Sequence, residues 1–245
     1  EQHRSHPRCR KSRHRRLMKS IQPCEAVIFD LDGTLADTVG DLALAVERTL
    51  ADFGLPSHHR DVVQGMTGNG LKKLVERAFA RHGVTLDAAG HEKAFAHLVD
   101  YYSADPLENS KLYPGVWDTL KTLDAAGINC AVLTNKLEPI ARNVLQGLGI
   151  GDFFKAVHGE KAGSPRKPDP ASALGLVETL GARPETTLIV GDSEIDLKTA
   201  RAAGLRAALV TYGYSSVPVA TLKPDAVIND FHELVAGLAL ASEPD

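Results

Sequence analysis

Val27-Ile28-Phe29-Asp30-Leu31-Asp32-Gly33-Thr34-Leu35 is a short apolar run that ends in two carboxylates and a turn. An unbroken apolar stretch with β-branched and aromatic residues predicts a strand buried on both faces, as in a parallel sheet. Residues two apart on a strand point to the same side, so Asp30 and Asp32 converge where the strand ends. Ligands of open parallel α/β sheets bind at those carboxyl ends. None of the nine residues is basic, so the two acids ask for a cation.

Outward from this stretch, strand and helix signals alternate. Strands are predicted at 26–31, 128–133, 156–158, 187–190, 206–210 and 226–228. Helices are predicted at 115–126, 139–148, 170–181, 194–203 and 231–241, several with proline at the start or glycine at the end. The alternation predicts an α/β fold with a parallel sheet. Between Asp37 and Tyr113 it stops. Leu71, Leu74, Val75, Ala78 and Phe79 have the spacing of one helix face, as do Leu42, Val46, Leu50 and Phe53, and no convincing strand is present. So long an interval is not an ordinary loop. The division expected is a core of 21–36 and 114–245, with an all-helical domain of 37–113 inserted after the first strand as a lid over Asp30 and Asp32.

At 245 residues the chain is long enough for one large core, or one core plus a smaller domain. No apolar run approaches the ~20 residues that span a bilayer, so no membrane association is expected. Cys9, Cys24 and Cys130 show neither CxxC nor metal-ligand spacing. That argues against a zinc site and for a reducing, cytoplasmic setting. Cys130 lies in an apolar run and reads as a small core residue. Residues 1–20 carry eight bases against one acid, Glu1, so the net charge of −3 conceals an acidic body. The basic segment reads as an unstructured extension, with Met18 standing just before the folded pattern. An acidic body argues against a nucleic-acid partner.

Three further segments carry chemistry. Leu188-Ile189-Val190-Gly191-Asp192-Ser193-Glu194-Ile195-Asp196 is again an apolar strand ending in acids, which places Asp192 to join Asp30 and Asp32. Three such oxygen donors suit a hard cation such as Mg²⁺. Taken singly, each segment also fits turn-forming and helix-capping aspartates. Val132-Leu133-Thr134-Asn135-Lys136 brings neutral donors to another strand end, where Thr134 and Asn135 fit phosphoryl oxygens or, equally, a turn and helix cap. In Lys167-Pro168-Asp169-Pro170, Lys167 supplies the positive charge that a carboxylate and a phosphate need in order to approach. Alone, it also fits a solvated lysine before a helix start.

Together, Asp30-Leu31-Asp32-Gly33-Thr34, Thr134-Asn135, Lys167-Pro168 and Gly191-Asp192 through Asp196 resemble the four motifs of the haloacid dehalogenase superfamily, in order and at familiar separations, from residue 26 to about 235. The resemblance implies a Rossmann-like, three-layer core with a helical cap. It implies Asp30 as nucleophile, forming an aspartyl-phosphate, and Asp32 as the proton donor and acceptor. Mg²⁺ is implied at the Asp30 carboxylate, the Asp32 carbonyl and the Asp192 carboxylate. Thr134 and Lys167 are implied to contact the phosphoryl group, Gly33 and Asn135 to help bind substrate, and Asp196 to support the site.

Members resembling true dehalogenases lack the second aspartate, so Asp32 implies phosphoryl chemistry. The insertion after the first motif resembles the family's first cap type, and the interval between Asn135 and Lys167 is too short for a second cap. Such a cap implies a small phosphorylated metabolite as the partner. Gly68-Asn69-Gly70, Arg166-Lys167-Pro168-Asp169-Pro170 and Thr211-Tyr212-Gly213-Tyr214 resemble the branch that hydrolyses 2-phosphoglycolate to glycolate and phosphate. Gly68, Asn69 and Gly70 would offer donors to a small anion or form a plain turn between helices. Sugar-phosphate phosphatases, β-phosphoglucomutase-like mutases, phosphonatases and pyrophosphatases share the core, and a non-catalytic phosphometabolite-binding regulator would keep the fold. A monomer or homodimer is expected.

Overall fold

The computed structural model describes residues 24–238. The basic segment 1–20 with Met18, and the end of the helix expected at 231–241, lie outside the described residues. Six parallel strands form the main sheet: β1 (Ala26–Phe29), β4 (Asn129–Leu137), β5 (Phe154–Glu160), β6 (Thr187–Gly191), β7 (Arg206–Val210) and β8 (Ala226–Ile228), in the order β5-β4-β1-β6-β7-β8. The chain fills one side of β1 first and then the other, the doubly wound pattern whose order reverses beside β1. Asp30 therefore leaves the sheet at the crevice where such folds bind ligands. The expected Rossmann-like α/β architecture is what the chain adopts.

All four residues of β1 are fully buried, and alternate side chains enter different cores. Val27 and Phe29 pack with α5 (Val116–Ala125), α6 (Glu138–Gly147) and α9 (Glu233–Leu238), through residues such as Leu120, Val144 and Leu234. Ala26 and Ile28 pack with α7 (Pro170–Thr179) and α8 (Glu194–Ala202), through Ala173, Val177 and Ala200. The three layers follow from this alternation. Burying each large apolar side chain of β1 contributes roughly 1.5–3 kcal/mol.

Two strand expectations are corrected. β4 continues to Leu137 rather than stopping at 133, with a register shift against β5 between Leu133 and Leu137. Its polar end is buried, so an apolar run is a poor guide to where it stops. The interval from Asp37 to Tyr113 is also not strand-free. β2 (Ala36–Asp37) and β3 (Lys111–Leu112) pair antiparallel at its two ends, each too short to leave a periodic signal. Between them run α1 (Val39–Asp52), α2 (Arg60–Gln64), α3 (Leu71–Ala80) and α4 (Ala88–Ala104). Leu42, Val46 and Leu50 of α1 meet Leu74, Val75 and Phe79 of α3 and Leu98 of α4 in one apolar cluster. Phe53 closes its edge, its ring 5.0 Å from that of Phe79 at 88°.

Candidate active site

Asp30 follows β1 directly, and its backbone N–H donates to the carbonyl of Val190 at 2.9 Å, so β6 sets its position. One carboxylate oxygen, Oδ1, accepts from the Leu31 N–H at 2.7 Å, and Oδ2 lies 2.9 Å from Lys167 Nζ. Gly33 then turns the chain with φ +80°, where a Cβ would collide with the Asp192 carboxylate. Glycine is required there on both counts.

Asp192 leaves the end of β6, and its Oδ2 accepts from the Tyr214 N–H at 2.5 Å. Asp196 sits one turn into α8. Its Oδ2 accepts from the Ser193 N–H at 3.1 Å, the Ser193 hydroxyl at 2.6 Å and the Asp192 N–H at 3.2 Å, while Oδ1 takes Lys167 Nζ at 2.6 Å. It is the acid of a capping box, which fixes Lys167 to the start of the helix. Both of its oxygens are thus engaged.

Asp30, Asp192 and Asp196 each offer an oxygen within 4.8 Å of the others, all three buried. Among the described residues, Lys167 is the one cation in ion-pair contact with this group. Burial pushes the Asp30 carboxyl up to about 7 against the pull of Lys167, and the charges of Asp196 and Asp32 push the same way. Burial, followed by the charges of Asp196 and Asp30, raises Asp192 well above the carboxylate range. The site has more buried negative charge than its lysine covers, and its donors are hard oxygens. That composition fits Mg²⁺.

Asp32 occupies a different setting. Its Oδ1 accepts from Lys136 Nζ at 2.7 Å and from the Thr38 hydroxyl in a shorter bond. Lys136 also donates to the Tyr102 hydroxyl from α4. Burial opposes the charge on Lys136, yet Asp32 and Tyr102 together hold its pKa above the ordinary lysine value. Burial pushes Tyr102 up to about 12, so its hydroxyl keeps its proton at neutral pH.

Thr134 and Asn135 lie within β4, both buried. The Thr134 hydroxyl oxygen accepts from the Lys136 N–H at 3.2 Å, leaving its own proton to donate. Asn135 Nδ2 donates to the Lys167 carbonyl at 3.1 Å and to the Gly68 carbonyl at 3.2 Å, tying the α2–α3 turn to the sheet. Gly68 and Gly70 have φ of +95° and +79°, and Asn69 Oδ1 accepts from Arg77 at 2.6 Å. Lys72 and Lys73 face solvent in pairs with Glu92 and Glu76, so neither is directed at the site. A cavity of about 610 Å³ joins the two sets, lined by Asp30, Asp32, Lys136 and Asp192 from the sheet and by Asn69 and Tyr102 from the insertion.

Sequence reasoning missed Lys136, Thr38, Tyr102 and Tyr214 as site residues. For Lys136 the signal was its place directly after Thr134-Asn135. Tyr102 continues the four-residue spacing of Ala94 and Leu98 on α4, which reads as plain core.

The model of the haloacid dehalogenase-like hydrolase family matches residues 27–210. The chain belongs to that family. This haloacid dehalogenase-like chain is 41% identical to a phosphoglycolate phosphatase of Rhodospirillum rubrum, covering 86% of its own length and 89% of that protein. Against a phosphoglycolate phosphatase of Pseudomonas putida the identity is 40%, over 87% of this chain and 79% of the other. A crystal structure from Haemophilus somnus, described as a predicted phosphoglycolate phosphatase, matches with a TM-score of 0.82 at 33% identity, covering 87% of this chain and 97% of that one. Among the described residues, no helix is long and apolar enough to cross a membrane.

Proposed function

We propose that this protein is a Mg²⁺-dependent phosphatase that hydrolyses a small phosphate monoester, 2-phosphoglycolate, to glycolate and phosphate. The observation that carries this reading is a buried, lysine-held carboxylate, Asp30, sharing a cavity with a second carboxylate, Asp32, held by separate donors. In the first step Asp32 enters as the carboxylic acid: an Asp30 oxygen bonds to phosphorus, the ester P–O bond breaks, and the departing oxygen takes the Asp32 proton. In the second step Asp32 takes a proton from water, the water oxygen bonds to phosphorus, and the bond from phosphorus to Asp30 breaks. The carboxylate and the aspartic acid are both restored.

Lys167 orients Asp30 and, with the Thr134 hydroxyl, holds the oxygens of the transferring group. Gly33 and Asn135 complete the cradle. The Asp30 and Asp192 carboxylates and the Asp32 carbonyl would hold Mg²⁺, which when bound offsets the repulsion between carboxylate and phosphate. Asp196, with one oxygen filled by three donors and the other taken by Lys167, supports this set instead of joining it. The insertion from 37 to 113 acts as a cap, excluding water and presenting Gly68, Asn69 and Gly70 to the substrate. The names of the Rhodospirillum rubrum and Pseudomonas putida relatives support the substrate. The free thiols of Cys24 and Cys130 support the cytoplasm as its setting.

The test is turnover of 2-phosphoglycolate and p-nitrophenyl phosphate with Mg²⁺. Asp30→Asn should lower kcat on both by at least about 10⁴-fold with the thermal transition kept, because an amide is a poor nucleophile. Turnover that survives the change refutes the nucleophile. A kcat/KM series over 2-phosphoglycolate, hexose phosphates and pyrophosphate decides the substrate.

A further inference from the structure

A substrate with two anionic groups needs positive charge at both ends. Three lysines line the cavity: Lys136, Lys167 and Lys198. Lys167 is committed to Asp30 and Asp196 at the phosphoryl end. Lys198 is exposed and pairs with Glu194 at 3.1 Å. Lys136 differs from both. Its side chain is only 3% exposed, and its ammonium lies 2.7 Å from Asp32, the acid that meets the departing oxygen.

An ammonium has three donors. Asp32 and the Tyr102 hydroxyl take two of those on Lys136, and no third acceptor is present among the described residues. The ammonium lies 4.5 Å from the centroid of the Tyr102 ring, at its hydroxyl end, so the tyrosine fixes it in place through the hydroxyl. Tyr102 is itself 1% exposed on α4 and leaves the ammonium little freedom to swing away. Desolvating a charge is costly unless it is well paired. Here a buried cation with one donor to spare lines the cavity beside the leaving-group acid.

We propose that Lys136 is a specificity-determining residue: its spare donor binds a carboxylate carried by the substrate next to the ester oxygen, with Tyr102 holding the ammonium in position. This rests on the phosphatase reading above and deepens it. The substrate class selected is an alkyl phosphate whose alcohol bears a carboxylate on the neighbouring carbon, in preference to a phosphate of a neutral alcohol of the same size.

The test compares kcat/KM for 2-phosphoglycolate and for ethyl phosphate, in which a methyl group replaces the carboxylate. The enzymes are the wild type, Lys136→Met and Tyr102→Phe, each with Mg²⁺. The wild type should prefer 2-phosphoglycolate. Lys136→Met should lower the ratio of the two values by at least about 30-fold, chiefly through KM for 2-phosphoglycolate. Tyr102→Phe should lower it less, because the ammonium remains. Should Lys136→Met lose its thermal transition, Lys136→Gln is read in the same way. A ratio unchanged in the lysine variants, with both substrates slowed alike, would mean that Lys136 only positions Asp32, and the proposal fails. A wild type with phosphatase activity but no preference for 2-phosphoglycolate overturns the substrate reading itself, a separate result.

Discussion

Two lysine–carboxylate clusters face one cavity, and they are built differently. Asp30 comes from the end of β1, Lys167 from the loop between β5 and α7, and Asp196 from the first turn of α8, all within the core. Lys136 and Asp32 also begin at the sheet, but their cluster is completed by Thr38 at the start of α1 and Tyr102 on α4. The first cluster would keep its contacts if the insertion swung away, and the second would lose Tyr102. Under the proposed mechanism, attack on phosphorus belongs to the core, whereas handling of the leaving group and its substituent depends on the insertion.

The largest expected effect breaks the core cluster. Lys167→Met should reduce kcat at least about 10³-fold on every monoester, because it removes the charge at the transferring group. It should also cost roughly 3–5 kcal/mol of stability, since buried acids lose their partner. Equal sensitivity to Lys167→Met and Lys136→Met for all substrates would erase the distinction between the clusters.

A smaller effect is expected at Asp32. In single-turnover measurements, Asp32→Asn should slow alcohol release from ethyl phosphate by about 10²–10⁴-fold. Release of p-nitrophenol should be slowed far less, because that leaving group departs without a proton. Equal slowing of both would show that Asp32 does not act as the acid in this step.

The smallest effect concerns the strand pair that carries the insertion. Partial burial opposes the charge on Asp37, but bonds from Arg60 at 2.7 Å and from the Tyr214 hydroxyl at 3.0 Å hold its carboxyl below the ordinary range. A depressed carboxyl stabilises the fold above its unfolded pKa of about 3.9, and that contribution is lost as pH falls through the folded value. With Arg60 half exposed, it should not exceed about 1 kcal/mol. Melting of the wild type and Asp37→Asn should differ at pH 7 and converge as pH falls through the folded value of Asp37. A gap that widens on acidification would reverse the sign.

Much of this was legible because parallel α/β folds write their sites in local sequence. Buried strands are apolar runs, and the polar residues that end them lie where ligands bind. Asp30, Asp192 and the α8 acid Asp196 were visible in this way. The Lys136–Tyr102 contact was not, since the two residues are 34 positions apart and neither stands out in its own segment. A lysine after a strand reads as solvated, and a tyrosine on an apolar helix face reads as core. The length of β4 was hidden for the same reason: Thr134, Asn135 and Lys136 near its end are polar yet buried.

The apolar run from Val27 and the alternation of strands and helices after it determined the α/β class, and the motifs at Asp30, Thr134, Lys167 and Asp192, through their resemblance to a known family, set the expectation of phosphoryl chemistry. Side-chain periodicity and turn chemistry are local, so a linear chain displays them. Only the tertiary structure decided which cation serves Asp32 and which serves Asp196. Lys167 was committed to Asp30 and Asp196, and Lys136 was left with a donor to spare, because pairing depends on where the sheet and the insertion meet.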